Sequence, residues 1–390
     1  MNKVLDILKK NTMIIVLVLV VLFFAAMTKG NMLQASSFDA LIAQNAYVFV
    51  LAAGMLMCML TGGNIDLACG SFVCFVGAIG GMLMVNLGIG VFPAMLLMLI
   101  IGVIYGCLQG FLIAYLNIPP WISTLAGYLA LRGWANAIIT GINGQTIGIP
   151  GDLLFVRMFN GHVPDFFGGA SLNITAIAVA VICCVIFVLL TLKGRADKLK
   201  KGYEAESLVS VIVKCVLISA VIMLFGIKLA QHNGIPYTLI WVAVIVLIYD
   251  FITSKTTIGR YFYTIGGNAE ATRLSGVDTK KIMFIAYLNM AILTVIAGWI
   301  TMARLTAATP TAGTNYEMDA ISACVVGGVS AYGGSGSVFG MVVGATLIGV
   351  INLGMSLMGI DANWQKVVKG VVLLAAVVFD IMTKKENTKN

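Results

Sequence analysis

The sequence predicts an all-α polytopic membrane protein with about ten to twelve transmembrane helices. Three observations lead there. The 390 residues are 60% apolar and only 10% charged, with a mean hydropathy of +1.01, whereas a soluble domain carries roughly 25% charged residues. Apolar runs of about 20 residues recur along the chain, the length at which a helix crosses a hydrocarbon core of about 30 Å. These runs are apolar on all sides. They therefore exclude the alternating strands of a barrel, the other architecture that satisfies its backbone groups inside lipid.

In chain order the expected spans are 12–28, 41–61, 68–88, 92–116, 121–141, 172–192, 209–229, 236–253, 282–303, 319–332, 337–358 and 364–382. The first follows MNKVLDILKK and imitates a secretory signal. The MTKGNML stretch after it is a poor cleavage site, so it reads as a retained span. The 68–88 span begins in Gly-rich sequence, and 319–332 suits half of a broken helix rather than a straight crossing. The whole chain, 1–390, reads as one membrane domain.

Charge sets the orientation. Lys3, Lys9 and Lys10 precede the first span, and Lys193, Arg195, Lys198, Lys200 and Lys201 share one loop. Lys255, Arg260, Arg273, Lys280 and Lys281 share another, and Lys384, Lys385 and Lys389 end the chain. The positive-inside rule makes all four segments cytoplasmic, both termini included. The net charge of +8 is therefore topological, and no nucleic-acid partner is expected. Residues 142–171 and 304–318 become external loops, read as solvated connectors or as faces for an extracytoplasmic partner.

Metal and disulfide chemistry find little support. The eight cysteines lie in or beside apolar runs without a C-x-x-C pair, so they read as small packing residues. His162 and His232 fall in separate external loops and give no metal signal. The chain has no G-x-x-x-x-G-K-[ST]; GGSGSVFG at 333–340 lacks the Lys and leads into a membrane helix.

The polar loop 254–281 carries more information than any other segment. Asn268 suits an N-cap, Glu270 suits the first turn, and Gly276 suits the C′ position of a two-turn helix over Ala269 to Ser275. Ala271 and Leu274 share a face at i, i+3 spacing. So short a helix needs the membrane domain or a partner to hold it. A structured connector is the plainer alternative.

Other polar groups lie near membrane depth. Asn64 and Asp66 stand before an apolar helix, where Asp66 reads either as a cavity-facing carboxylate or as a helix cap. Ser71, Ser335 and Ser337 could add hydroxyls. Arg132, inside a span, needs a counter-charge or a ring of carbonyls, with Asp66 and Asp319 the acidic candidates. Gly102, Gly106 and Gly110, and Gly336, Gly340 and Gly344, form small-xxx-small faces for close helix contact. Trp364, Lys366 and Lys369 open the last span and read as interface anchors. A faint echo links 62–78 with 327–345, a pattern expected of Gly-interrupted inverted repeats around a central site.

Several of these segments together resemble one family. GRYFYTIGGNAEATRLSGV at 259–277, GGNIDLACGS at 62–71, STLAGYLALRG at 123–133, GGVSAYGGSGSVFG at 327–340 and WQKVVKGVVLLAAV at 364–377 are similar to segments of permease subunits from binding-protein-dependent sugar ABC importers. The likeness is to the ribose, xylose and galactose branch. Residues 172–229 depart from it as a two-helix insertion, as in longer variants that handle several monosaccharides.

The resemblance implies an ABC importer permease fold in a bacterial cytoplasmic membrane, moving monosaccharides without hydrolysing ATP. It implies a cytoplasmic ATPase that uses ATP and magnesium, an extracytoplasmic sugar-binding protein and a second permease copy. Within the polar loop it implies that Gly266, Gly267, Asn268, Glu270, Ala271, Arg273, Leu274, Ser275 and Gly276 meet the ATPase. Asn64, Asp66, Ser71, Ser335 and Ser337 are the candidates for the translocation path. The chain itself is expected to hold no cofactor or metal. Two alternatives remain at this stage: an ion-coupled transporter using Asp66 and Asp319, and a branched-chain amino acid permease of the same layout.

Overall fold

The computed structural model describes residues 12–169, 172–203 and 207–389. Lys3, Lys9 and Lys10, part of the charge argument, lie outside them. The helices in chain order are α1 (Thr12–Met27), α2 (Ala35–Leu60), α3 (Cys69–Gly81, continued by a π turn at Met82–Asn86), α4 (Val91–Ala114) and α5 (Pro120–Asn143). Then come α6 (Leu154–Asn160), α7 (Ile174–Lys200), α8 (Leu208–Ala230), α9 (Tyr237–Lys255), α10 (Thr257–Gly267) and α11 (Ala269–Leu274). The chain closes with α12 (Thr279–Leu305), α13 (Tyr316–Val326), α14 (Val338–Leu357) and α15 (Ala362–Lys389).

Setting aside the short α6, α10 and α11, these helices stand one for one where the spans were expected. Eight of them are long and apolar enough to cross a membrane: α2, α3, α4, α7, α8, α9, α12 and α14. The all-α polytopic class holds. The only strands among the described residues are the two-residue β1 (Ile147–Gly148) and β2 (Ala307–Ala308), paired antiparallel.

Helix α2 forms the centre of the bundle, packed by α9, α12, α13 and α14, with Val48, Leu51, Met55 and Leu56 fully buried. Lipid is as apolar as leucine, so close contact rather than water exclusion holds such helices together. The stripe of Gly102, Gly106 and Gly110 on α4 supplies it. These glycines face Val295, Ala291, Leu288 and Phe284 of α12, so the stripe is a seam within the subunit. Gly340 and Gly344 likewise face the Gly327 and Ala323 carbonyls at the end of α13.

Two crossings are broken, and they enter from opposite ends. After α2 the chain runs back through the non-helical segment 61–68 before α3 starts. After α12 the chain makes β2 and then runs down beside α3: the Cys74 thiol lies 3.5 Å from the Thr309 carbonyl. Arg132 of α5 holds this strand by donating to the Pro310 and Ala312 carbonyls at 3.0 and 2.7 Å. Gly70 then lies against Gly313 and the Glu317 carboxylate, which brings the starts of α3 and α13 together.

Three sequence expectations need correction here. The Gly-rich echo does not mark inverted repeats: Gly63 lies against the Ala331 carbonyl and Gly333 against Gly62, so both segments sit at the same end. The break that pairs with 61–68 is 306–315, within the 304–318 segment that the sequence suggests is an external loop, either a solvated connector or a partner face; its small polar residues carry no depth signal. The 142–171 loop is also more than a connector. Within it α6 buries Phe155 and Phe159, with Phe159 ring-packed on Trp241 and Trp299 at 5.3 and 5.8 Å.

Candidate coupling surface and translocation path

The polar loop begins with α10, a helix not anticipated from sequence although Gly259, Phe262 and Ile265 recur at helical spacing. That face is buried, and the Tyr263 hydroxyl donates to the Gly336 carbonyl at 3.1 Å. The Gly266 backbone lies against the Leu60 carbonyl and the Gly334 amide, where any Cβ would collide. The Gly334 amide itself donates to the Leu60 carbonyl at 3.1 Å. The loop is thus seated on the end of α2 and on the 328–336 turn. Of the nine residues expected to meet an ATPase, Gly266 faces inward. The other eight are exposed.

Helix α11 is short, and its ends are well capped. The Asn268 side-chain oxygen accepts from the Ala271 amide at 2.9 Å, taking up one of the amides left unpaired at a helix start. Gly276 adopts φ +87° just past the helix, and the Val277 amide donates back to the Thr272 carbonyl at 3.3 Å, as in a glycine-terminated helix. Buried Thr272 holds the inner face. On the outer face Arg273 grips Glu270 through two hydrogen bonds of 3.1 and 2.6 Å. That bonding and the guanidinium charge hold the Glu270 carboxyl below its usual range, so the pair stays ionised as pH falls through the ordinary glutamate value. Leu274 is 77% exposed, an apolar side chain on an otherwise polar surface.

The candidate path residues do not form one cluster. Asn64 donates to the Thr61 carbonyl and hydroxyl, each at 3.2 Å. Asp66 is buried and accepts the Ala68 amide at 2.8 Å, a turn bond that precedes the helix; the N-cap of α3 is Ala68, with no side-chain cap. Ser71 is fully buried, and its hydroxyl has no hydrogen bond within the protein. Ser335 accepts the Ser330 amide through its backbone at 2.9 Å. Ser337 caps α14 by accepting the Gly340 amide at 3.0 Å. Both serines are exposed beside the polar loop, whereas Ser71 lies where the half-helices meet.

On α13 sequence reasoning named Asp319 but missed Glu317, and it missed the partners of Asp319. Glu317 is buried with one carboxylate oxygen lacking a hydrogen bond. Asp319 is buried against Lys369 at 2.9 Å and accepts the Tyr47 hydroxyl at 2.6 Å. Lys369 is therefore an internal partner rather than an interface anchor. Arg132 uses carbonyls rather than Asp66 or Asp319, the second of the two possibilities the sequence leaves open. A pair of acidic residues inside one apolar half-helix was the available signal.

At the opposite end of the bundle the two histidines, expected to be unrelated, share one carboxylate. Asp39 of α2 lies 3.0 Å from the His162 Nε2 and 3.8 Å from the His232 Nε2. The Val163 amide donates to Ile235 and the Tyr237 amide to Gly161, at 2.8 and 2.9 Å, so the two loops close over the start of α2. Among the described residues no group of His, Cys, Asp and Glu could hold a metal ion.

A bundle with two opposed half-helices and one seated polar elbow describes a transport subunit, and relatives agree. Residues 37–377 match the family described as the branched-chain amino acid transport system / permease component, and the chain belongs to it. It is 34% identical to the xylose transport system permease protein XylH of Haemophilus influenzae, over 96% of each chain. It is 33% identical to XylH of Escherichia coli over 96% of this chain and 92% of that one. Identity to the ribose import permease protein RbsC of Escherichia coli is 31%, over 92% of this chain and 87% of that one. No solved structure gives a significant match. The chain is a multi-pass membrane permease subunit.

Proposed function

We propose that this chain imports monosaccharides of the xylose and ribose class as the permease of an ATP-driven complex. The relatives named for xylose and ribose support the substrate class over branched-chain amino acids, whose transport only the broader family description mentions. Ion coupling is disfavoured because Asp319, one of its two carriers, already has Lys369 and Tyr47 as partners.

The single observation that carries the mechanism is α11, capped at both ends and offering Leu274 and the Glu270–Arg273 pair outward. A cytoplasmic ATPase would take Leu274 into an apolar recess and press on the elbow. Because α10 and Gly266 bear directly on the end of α2 and on the turn before α14, displacement of the elbow moves both. Such a push biases an equilibrium between outward- and inward-open states.

In this reading the polar-loop end faces the bacterial cytoplasm with both chain termini, and the Asp39 end faces an extracytoplasmic sugar-binding protein. Asn64, Asp66 and Ser71 border the path, with Ser335 and Ser337 at its inner mouth. Two copies assemble, giving an ATPase pair two elbows. ATP and magnesium belong to the ATPase; no cofactor is assigned to this chain.

The test is E270A/R273A in proteoliposomes reconstituted with the ATPase and binding protein. ATP-driven uptake of labelled xylose or ribose is expected to fall to background while the variant still inserts. Uptake equal to that of the parent would remove the docking assignment.

A further inference from the structure

We propose that the notch between α7 and α8, at their polar-loop ends, binds the phosphate headgroup of an anionic phospholipid. The notch is a cavity of about 170 Å³, with Arg195 and Lys198 from α7, Lys214 from α8, and Leu190 and Val211 as apolar walls. Gly194 also lines it, with open space beside its Cα.

Charge and surroundings select the ligand. Arg195 is already engaged within the protein, so the site rests on Lys198 and Lys214. Neither forms an ion pair among the described residues. In sequence, Lys193, Lys200 and Lys201 add positive charge nearby, against Asp197, Glu204 and Glu206. Two cations lining one cleft suit a phosphate, and basic pockets between membrane helices recruit anionic headgroups.

The hairpin below the notch decides between a lipid and a soluble phosphate. Only 17% and 11% of the most apolar stretches of α7 and α8 are buried by the protein, against 72% for α2. Ile186, Leu189 and Leu190 on α7, and Val216, Leu217 and Val221 on α8, are exposed on the membrane side of the cations. A headgroup in the notch therefore places acyl chains along apolar helix faces, while the lysine stems reach up to it. The hairpin contacts the bundle mainly through α2, so a lipid here would act as packing that the protein itself does not provide.

Native mass spectrometry of the full chain in detergent tests this, with phosphatidylglycerol and phosphatidylcholine as probes. Phosphatidylglycerol should half-occupy one site at a lower concentration than phosphatidylcholine. In K198Q/K214Q that concentration should rise about tenfold, and in K280Q/K281Q, which removes equal charge at the same end, it should not change. Inorganic phosphate and glycerol 3-phosphate should fail to displace the lipid. Wild-type binding by K198Q/K214Q, equal loss in K280Q/K281Q, or displacement by either soluble phosphate would each overturn the proposal.

Discussion

The Lys369 ammonium lies within 3.0 Å of both carboxylate oxygens of Asp319, joining the last helix to the half-helix α13. Asp319 is 2% exposed and Lys369 19%, and the Tyr47 hydroxyl donates to the same carboxylate. Removing one member of such a pair leaves a buried charge uncompensated, at a cost of about 3–5 kcal/mol. Lys369→Met should therefore lower the thermal midpoint in detergent sharply. Adding Asp319→Asn should recover most of that loss, because the amide oxygen still accepts from Tyr47. A Lys369→Met protein as stable as the parent would show that the pair contributes nothing.

Gly266 and Gly267 are neighbours with opposite tolerance. A methyl on Gly266 meets the Leu60 carbonyl and the Gly334 backbone, whereas nothing stands within 4 Å of one on Gly267. Overpacking against backbone costs roughly 1–3 kcal/mol. Gly266→Ala should impair both stability and ATP-driven uptake, and Gly267→Ala should leave stability near the parental level. Equal behaviour in the two variants would mean that the elbow is not seated on α2 as described.

Arg132 satisfies two carbonyls of the re-entrant strand. Truncation to Met removes both bonds, leaving the Pro310 carbonyl, among the described residues, with only the weak Cys74 thiol at 3.7 Å, and a partly buried group left unpaired costs about 1 kcal/mol or more. Lysine, lacking the planar fork, should rescue only in part. Stability in detergent is expected to rank Arg above Lys above Met at this position; a methionine variant ranking with the parent would contradict the contact.

Asp39 closes the opposite end by bridging His162, with His232 nearby. The three side chains are partly exposed, so solvent screening limits the effect to about 1 kcal/mol. In Asp39→Asn, hydrogen exchange at the Val163 and Tyr237 amides should accelerate about fivefold, with exchange in α12 unchanged. No acceleration would show that the loops hold together without the carboxylate.

Asn268 offers a narrower test. Loss of an N-cap costs about 1 kcal/mol, so Asn268→Ala should speed exchange within α11, and Asn268→Asp should restore protection. Matching rates in all three proteins would remove the capping role.

Much of this architecture is legible in the sequence. The twelve helical positions follow from stretches of apolar residues, and Asn268 and Gly276 mark the ends of α11 because capping depends on residues within a turn of each other. The five-segment family resemblance pointed to a sugar permease for a similar reason, as each motif is contiguous. All of these are local properties, set by residues adjacent in the chain or by the length of a run.

The features that remained hidden involve residues far apart in sequence. Lys369 and Asp319 are separated by 50 positions, and His162 and Asp39 by 123. Residues 306–315 read as a surface connector because their Thr, Pro and Gly content does suit one; membrane depth comes instead from Arg132 and Gly70, supplied by α5 and α3. Hydropathy therefore assigned the helices to the membrane, while partners brought together by packing assigned each polar group its neighbour.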